Sequence, residues 1–313
     1  MNRPSEFHLI AELFAPLATA PGALGLKDDA ALITPPEGCD LVVTADALVE
    51  GVHFLSSDPP DTIARKALRV NLSDLAAKGA VPTGYFLAVS LPNHLEYGWL
   101  TEFARGLAED GKAFSIPLMG GDTTSTPGPL TIAITAFGYV PRGTMTQRAG
   151  AKPGDSVYVS GTIGDAGGGL ELLTSETQAG NANAYLIGRY RVPTPRLALG
   201  LALRGVATAS LDVSDGLIAD VGHLADVSQV KIVLDAAQIP LSESLKSLWG
   251  TSEGTIVRAA TAGDDYEIVF TAGDIDAEGL GVRRIGHVTN GSGVFLMGND
   301  GEITVSRTGF QHF

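Results

Sequence analysis

The feature that most constrains this chain is the repeated placement of aspartate at the end of an apolar run or beside a glycine. The positions are Asp28-Asp29, Asp46, Asp74, Gly120-Gly121-Asp122, Asp212-Val213-Ser214-Asp215 and Gly263-Asp264-Asp265. A glycine lets the backbone approach a ligand with no side chain in the way, and a neighbouring carboxylate offers hard oxygen ligands to Mg²⁺. Such a pairing suits phosphate chemistry. The chain carries 35 Asp+Glu against 21 Lys+Arg, for a formal net charge of −14. An anionic nucleotide is repelled by that charge unless bound divalent cations reverse the local field, so the pattern points to metal-bridged phosphate binding. The same acidic balance leaves no basic stripe for a nucleic-acid backbone.

Apolar periodicity around these aspartates alternates between strand and helix, which predicts an α/β (α+β) chain. Ser5 can cap a first helix with Phe7, Ile10, Phe14 and Leu17 on one face. Leu41-Val42-Val43 reads as a buried strand ending at Asp46, and 61–78 as a helix with Ile63, Ala67, Leu68, Leu72 and Leu75 inward, placing Asn71 and Asp74 on one face. Strands follow at 85–91, 116–119 and 130–140, with a helix through Leu100, Phe103 and Leu107. Pro141-Arg142-Gly143 and Gly150-Ala151-Lys152-Pro153-Gly154 break the periodicity, which places a domain boundary near residue 145. The second half adds strands at 156–160, 209–212, 231–234, 267–270 and 283–288, a helix from Gly216 onward, and a hairpin turned by Asn299-Asp300-Gly301.

Cys39 is the only cysteine, so no intramolecular disulfide or thiolate metal cluster is expected, and the cytoplasm is the natural compartment. The N-terminus has no apolar signal core, and apolar stretches such as 130–140 are too short to cross a bilayer, so a soluble protein is expected. A Gly-x-x-x-x-Gly-Lys-Ser/Thr loop is absent, and His8, His53, His94, His223, His287 and His312 show no zinc-type spacing. Taken singly, each Asp-Gly pair also reads as a turn or helix cap, and Ser214-Asp215 as the cap of the following helix. His53 can equally be a satisfied core histidine, and Arg148 a surface arginine.

The ordered set of motifs resembles the thiamine-monophosphate kinase family, within the aminoimidazole-ribonucleotide-synthetase-like superfamily, over residues 25–313. The carrying stretches are Asp28-Asp29, Asp46-Ala47-Leu48-Val49-Glu50-Gly51-Val52-His53-Phe54, Asn71-Leu72-Ser73-Asp74-Leu75-Ala76-Ala77-Lys78-Gly79-Ala80 and Gly120-Gly121-Asp122-Thr123-Thr124. Asp212-Val213-Ser214-Asp215-Gly216-Leu217, Gly263-Asp264-Asp265-Tyr266-Glu267 and Gly309-Phe310-Gln311-His312-Phe313 complete it.

The resemblance implies a two-domain fold, each domain a mixed sheet with packed helices. Residues 1–145 would form an ATP- and Mg²⁺-binding, dimerising domain, and 146–313 a domain adding nucleotide, metal and thiamine contacts. It implies ATP-dependent phosphorylation of thiamine monophosphate to thiamine diphosphate, with several Mg²⁺ ions between the substrates, in a homodimer. Asp29, Asp46, Asp74, Asp122 and Asp212 match the family's metal ligands, with Thr44 and Ala45 beside them, and Asp215 matches a further metal position. Gly121, Asp122, Arg148 and Ser214 match nucleotide contacts, and His53, Asp264 and Phe310 fall where the family meets its thiamine substrate. The chain departs from the family pattern at Lys27, where glycine is usual, and at Ala45, where a hydroxyl ligand is lost but a carbonyl remains. Asp264 stands for the usual Glu, and Phe310 for Tyr or Trp.

The acceptor phosphate, with a second pKa near ~6, is largely ionised at neutral pH and needs no general base. Aspartates engaged on metal are poor nucleophiles, so direct in-line transfer without a phosphoenzyme is expected. The rival readings are a sister synthetase of the superfamily and a non-catalytic nucleotide-binding regulator. A selenophosphate synthetase would carry a reactive Cys or selenocysteine near its N-terminus, and a hydrogenase-maturation relative a C-terminal Cys, whereas Cys39 is internal and the sequence ends in Phe313. A mere binder would tolerate losing some of Asp29, Asp74, Asp122 and Asp212.

Overall fold

A computed structural model describes residues 5–175 and 181–311, so His312 and Phe313 of the last motif lie outside the described residues. The chain divides into two compact units, Met1–Leu75 with Ala80–Gly143, and Ala76–Gly79 with Thr144–Phe313. Both are built on mixed sheets with packed helices. Among the described residues, no helix is long and apolar enough to cross a membrane.

The first unit opens with one helical run over 6–17, as the sequence predicts, but its ladder is not uniformly α. α1 (Glu6–Leu9) passes into a π turn (Ile10–Phe14) and 3₁₀ turns at Ala15–Leu17 and Pro21–Leu26, and Ser5 makes no capping bond. Pro16, which has no N–H to donate, interrupts the ladder, and Leu24, Gly25 and Leu26 then take left-handed φ values of 51°, 64° and 55°. Lys27 follows at φ −110°, an ordinary conformation for any residue, so a glycine is not needed there.

Beyond this come β1 (Cys39–Val49), α2 (Pro60–Ala77), β2 (Val81–Pro92), α3 (Tyr97–Ala113), β3 (Leu118–Thr126) and β4 (Thr131–Pro141). The sheet order is β1-β4-β2-β3, parallel only between β2 and β3. Two expectations are corrected. β1 runs three residues past Asp46 and is not buried on both sides: as an edge strand it buries Val42 and Leu48 and exposes Leu41 and Val43. The strand expected at 116–119 instead runs through Gly120-Gly121-Asp122 to Thr126, because pairing with Phe86–Pro92 carries it on. The inward residues of α2, Ile63, Ala67, Leu68, Leu72 and Leu75, are all buried.

The second unit contains β5 (Ser156–Ser160), α4 (Asp165–Thr174), α5 (Asn181–Arg191), α6 (Leu197–Ala202), β6 (Ala209–Asp212), α7 (Leu217–Ser228), β7 (Lys231–Asp235), α8 (Glu243–Trp249), α9 (Glu253–Ala260), β8 (Ile268–Ala272), β9 (Val282–Thr289), β10 (Gly293–Gly298) and β11 (Gly301–Ile303). The sheet order is β11-β10-β7-β9-β5-β8-β6, parallel only between β10 and β7. Its core joins Val157, Val159, Leu211, Ile232, Leu234, Val269 and Ile285 of the strands to Leu217, Val221 and Leu224 of α7. The β10–β11 hairpin closes at the Gly298–Gly301 pair, around Asn299-Asp300.

Candidate active site

In the first unit the strand register sets the geometry. Asp46 pairs across to Ile134, Ile134 to Leu87 and Leu87 to Gly121, so Asp46 and Gly121 share one row and one face of the sheet. α2 lies on that face, because Thr44 Oγ1 donates to Asp74 Oδ2. Asp46 and Asp74 thereby face each other, and burial together with the Asp74 charge pushes the Asp46 carboxyl up to about 7. Ala45 points to the opposite face, where only its carbonyl could reach the same ligand. Gly121 is glycine for a packing reason the sequence does not reveal: a Cβ there would lie 1.9 Å from Leu87 O of β2.

Asp28, Asp29, Gly120, Gly121 and Asp122 line a cavity of ≈ 310 Å³, whose apolar side is Ile10, Phe14, Leu26, Phe86 and Met119. Thus Asp29, Gly121 and Asp122 meet at one opening, and Thr44, Asp46 and Asp74 form a second group in the same unit. Among the described residues, no three His, Cys, Asp or Glu side chains converge as a ready cage. The donor set nevertheless fits Mg²⁺, which is held through one or two carboxylates with the remaining positions taken by substrate phosphate and water. Two facing carboxylates, one carrying a hydroxyl contact, are such a set of hard oxygens.

His53 sits half-buried after β1, with its Nδ1 accepting the Val49 N–H at 3.0 Å. That bond accounts for the ring's orientation without placing the histidine in an apolar core.

In the second unit, four candidate segments are tied by backbone bonds. Asp212 ends β6, and Ser210 N–H donates to Gln147 O at 2.8 Å, which lays Arg148 alongside this strand. Asp264 N–H donates to Ser214 O at 2.7 Å, and Phe310 N–H donates to Asp215 O at 2.9 Å. Asp212, Ser214, Asp215, Asp264, Phe310 and Arg148 are therefore assembled locally. Asp264 is left-handed at φ 63°, in a loop held by buried Glu267. Arg196 Nε and Nη2 each donate to Glu267 at 2.6 Å, and Arg189 Nη2 at 2.8 Å.

Ser214 and Asp215 do not cap α7 with their side chains. The residue that organises them is one the motif reading missed: Asp220 Oδ2 accepts the N–H groups of Ser214 and Asp215 at 3.0 Å and of Gly216 at 3.1 Å. Burial, then the Asp215 charge, pushes the Asp220 carboxyl up to about 7 against the pull of those three N–H groups. A carboxylate on the apolar face of α7, beside Leu217, Val221 and Leu224, is the signal that could have found it.

Two mixed-sheet units that carry carboxylates along their strands define a class. Residues 27–140 match the family model for the N-terminal domain of AIR synthase related proteins and 152–299 that for the C-terminal domain, so the chain belongs to the AIR synthase related family. Within it, the chain falls among the thiamine-monophosphate kinases. It is 44% identical to the Caulobacter vibrioides thiamine-monophosphate kinase over 99% of this chain and 91% of that protein. The crystal structure of thiamine-monophosphate kinase from Stenotrophomonas maltophilia superposes with a TM-score of 0.80 at 42% identity, covering 89% of this chain and 90% of that one. AaThiL complexed with AMPPCP and TMP superposes with a TM-score of 0.81 at 34% identity, covering 100% of this chain and 99% of that one.

Proposed function

We propose that this chain transfers the γ-phosphate of ATP to thiamine monophosphate, forming thiamine diphosphate, with Mg²⁺ between the substrates. The observation that carries the reading is the Asp46–Asp74 pair with Thr44 on the sheet face under α2, oxygen ligands in search of a cation. The complex of AaThiL with AMPPCP and TMP supports both substrates.

In this reading Asp29, Thr44, Asp46, Asp74 and Asp122 hold metal from the first unit, with the Ala45 carbonyl available, and Asp212 and Asp215 from the second. Gly121, Asp122, Arg148 and Ser214 position the nucleotide, while His53, Asp264 and Phe310 receive the acceptor. Bound Mg²⁺ supplies charge neutralisation between two phosphate anions and alignment of their oxygens. The protein's part is to hold those oxygens in place, since the acceptor phosphate is already ionised and no side chain need remove a proton. Transfer is direct, so chiral γ-phosphate emerges inverted; retention, or ADP–ATP exchange without thiamine monophosphate, would indicate a phosphoenzyme instead.

The β1 side of the first unit's sheet, where Leu41, Val43, Ala45 and Ala47 are exposed, supports a homodimer through residues 1–145, testable by sedimentation. A cytoplasmic enzyme acting without nucleic acid or membrane completes the reading. The deciding assay supplies Mg²⁺-ATP with thiamine or thiamine monophosphate: the diphosphate should form from the monophosphate alone, and product from free thiamine would refute the assignment.

A further inference from the structure

We infer that Lys66 is a positioning residue for His53, and through it for the acceptor substrate; this rests on the reading of His53 as a thiamine-monophosphate contact. Lys66 is only 2% exposed, on the buried stripe of α2 between Ile63 and Val70. An ammonium in that position gives up its hydration, a cost that an apolar side chain of similar length would not carry. Packing α2 does not call for a charge there.

The ammonium grips the turn after β1: Lys66 Nζ donates to His53 O at 2.8 Å. The same residue is held from two further directions. His53 N–H donates to Val49 O at 3.0 Å, and the His53 ring accepts the Val49 N–H through Nδ1 at 3.0 Å. Gly51 N–H donates to Phe54 O at 2.8 Å and closes the turn around it. Since Nδ1 accepts, the geometry assigns the ring proton to Nε2, which makes the imidazole a hydrogen-bond donor at that atom. Lys66 fixes the carbonyl, Val49 fixes the ring, and together they set the direction in which Nε2–H donates to an acceptor atom of thiamine monophosphate.

A double-mutant cycle tests this. His53→Asn keeps an oxygen that can take the Val49 N–H in place of Nδ1 while deleting Nε2; Lys66→Met keeps length and burial while deleting the charge. H53N should raise the KM for thiamine monophosphate about 10-fold with the ATP KM unchanged, and K66M should raise it about 5-fold. The double variant should lose no more than H53N alone, with K66M melting near wild type. Multiplicative losses, or K66M raising both KM values together with a lowered Tm, would overturn the proposal while leaving His53 as a substrate contact. An H53N enzyme with unchanged KM would overturn the reading of His53 and the proposal with it. Should K66M not fold, Lys66→Gln takes its place in the same cycle.

Discussion

Replacing Asp220 with alanine removes one carboxylate oxygen that serves three successive backbone donors, Ser214, Asp215 and Gly216. Gly216 is buried, so its N–H, left without a partner, costs about 1–3 kcal/mol. Ser214 and Asp215 are half-buried and can turn their N–H groups toward water, losing about 0.5–1.5 kcal/mol each. Part of the total returns, because burial and the Asp215 charge already disfavour the ionised carboxylate. A net loss of about 2–3 kcal/mol lowers the melting temperature by about 5–10 °C in a unit of this size. Asp220→Asn keeps an acceptor oxygen and should lose less than about 1 kcal/mol. Calorimetry on the two variants, with ATP KM measured alongside, is the assay. The alanine variant should also bind ATP more weakly, since the displaced loop carries Ser214 and Asp215. An alanine variant that melts within about 2 °C of wild type with an unchanged ATP KM would refute the reasoning. An asparagine variant as damaged as the alanine one would show that charge, not acceptance of the three N–H groups, is what the loop needs.

Asp74→Asn and Asp122→Asn should each lower turnover by at least about 10²-fold with little change in melting, and near-wild-type rates at saturating Mg²⁺ would contradict the metal assignment. Gly309→Ala puts a Cβ 2.4 Å from Asp215 O and 2.7 Å from Ala219 Cβ. The tail carrying Phe310 must then shift, so the thiamine-monophosphate KM should rise about 10-fold, as it should in Phe310→Ala, and equal losses for ATP would point to packing alone. Burial pushes Asp265 well above its ordinary value of 3.8, with the Gly164 N–H and Arg189 opposing and Asp165 and Glu267 reinforcing. The folded chain keeps a proton there that the unfolded chain gives up, so this contribution is complete at low pH and fades as pH rises. Melting of wild type should therefore fall more steeply from pH 5 to 8 than that of Asp265→Asn, and parallel profiles would show that Asp265 folds ionised.

Much of the candidate site's arrangement is legible in the chain because its geometry is local. Asp46, Asp212 and the Gly120-Gly121-Asp122 run announce themselves by interrupting apolar β periodicity, and the stripe of α2 places Asp74 by counting. Asp220 and Lys66 were not legible, since each acts on backbone groups outside its own helix and periodicity records only that a charge sits on a buried stripe. The strand read at 116–119 stops short of Gly120 to Thr126 because those residues are small and polar; β2 makes the run a strand by offering a ladder, and even dictates Gly121 by leaving no room for a side chain. The first helix forms over 6–17 as its apolar stripe indicates, but its ladder is α only in the first turn and π and 3₁₀ after that, with Pro16 in the last turn unable to donate.

Residues Ala76–Gly79, at the end of α2, belong to the second unit although 64 residues of the first, Ala80–Gly143, follow them in the chain. Ala76 and Ala77 pack with Tyr158, Leu203, Ile268, Phe270 and Ala272, Lys78 Nζ donates to Ser210 O at 2.7 Å, and Gly79 O accepts from Arg204 Nε at 2.5 Å. Severing the polypeptide at residue 143 therefore does not yield a self-sufficient C-terminal piece: a fragment beginning at Thr144 lacks four residues of its own interior. Such a fragment should expose Phe270 and Tyr158 to solvent and bind a hydrophobic dye, and a peptide reproducing the end of α2 should restore it in trans. In the same way, gene fusion or circular permutation of this chain must keep it continuous from α2 through Gly79, whatever new ends are chosen.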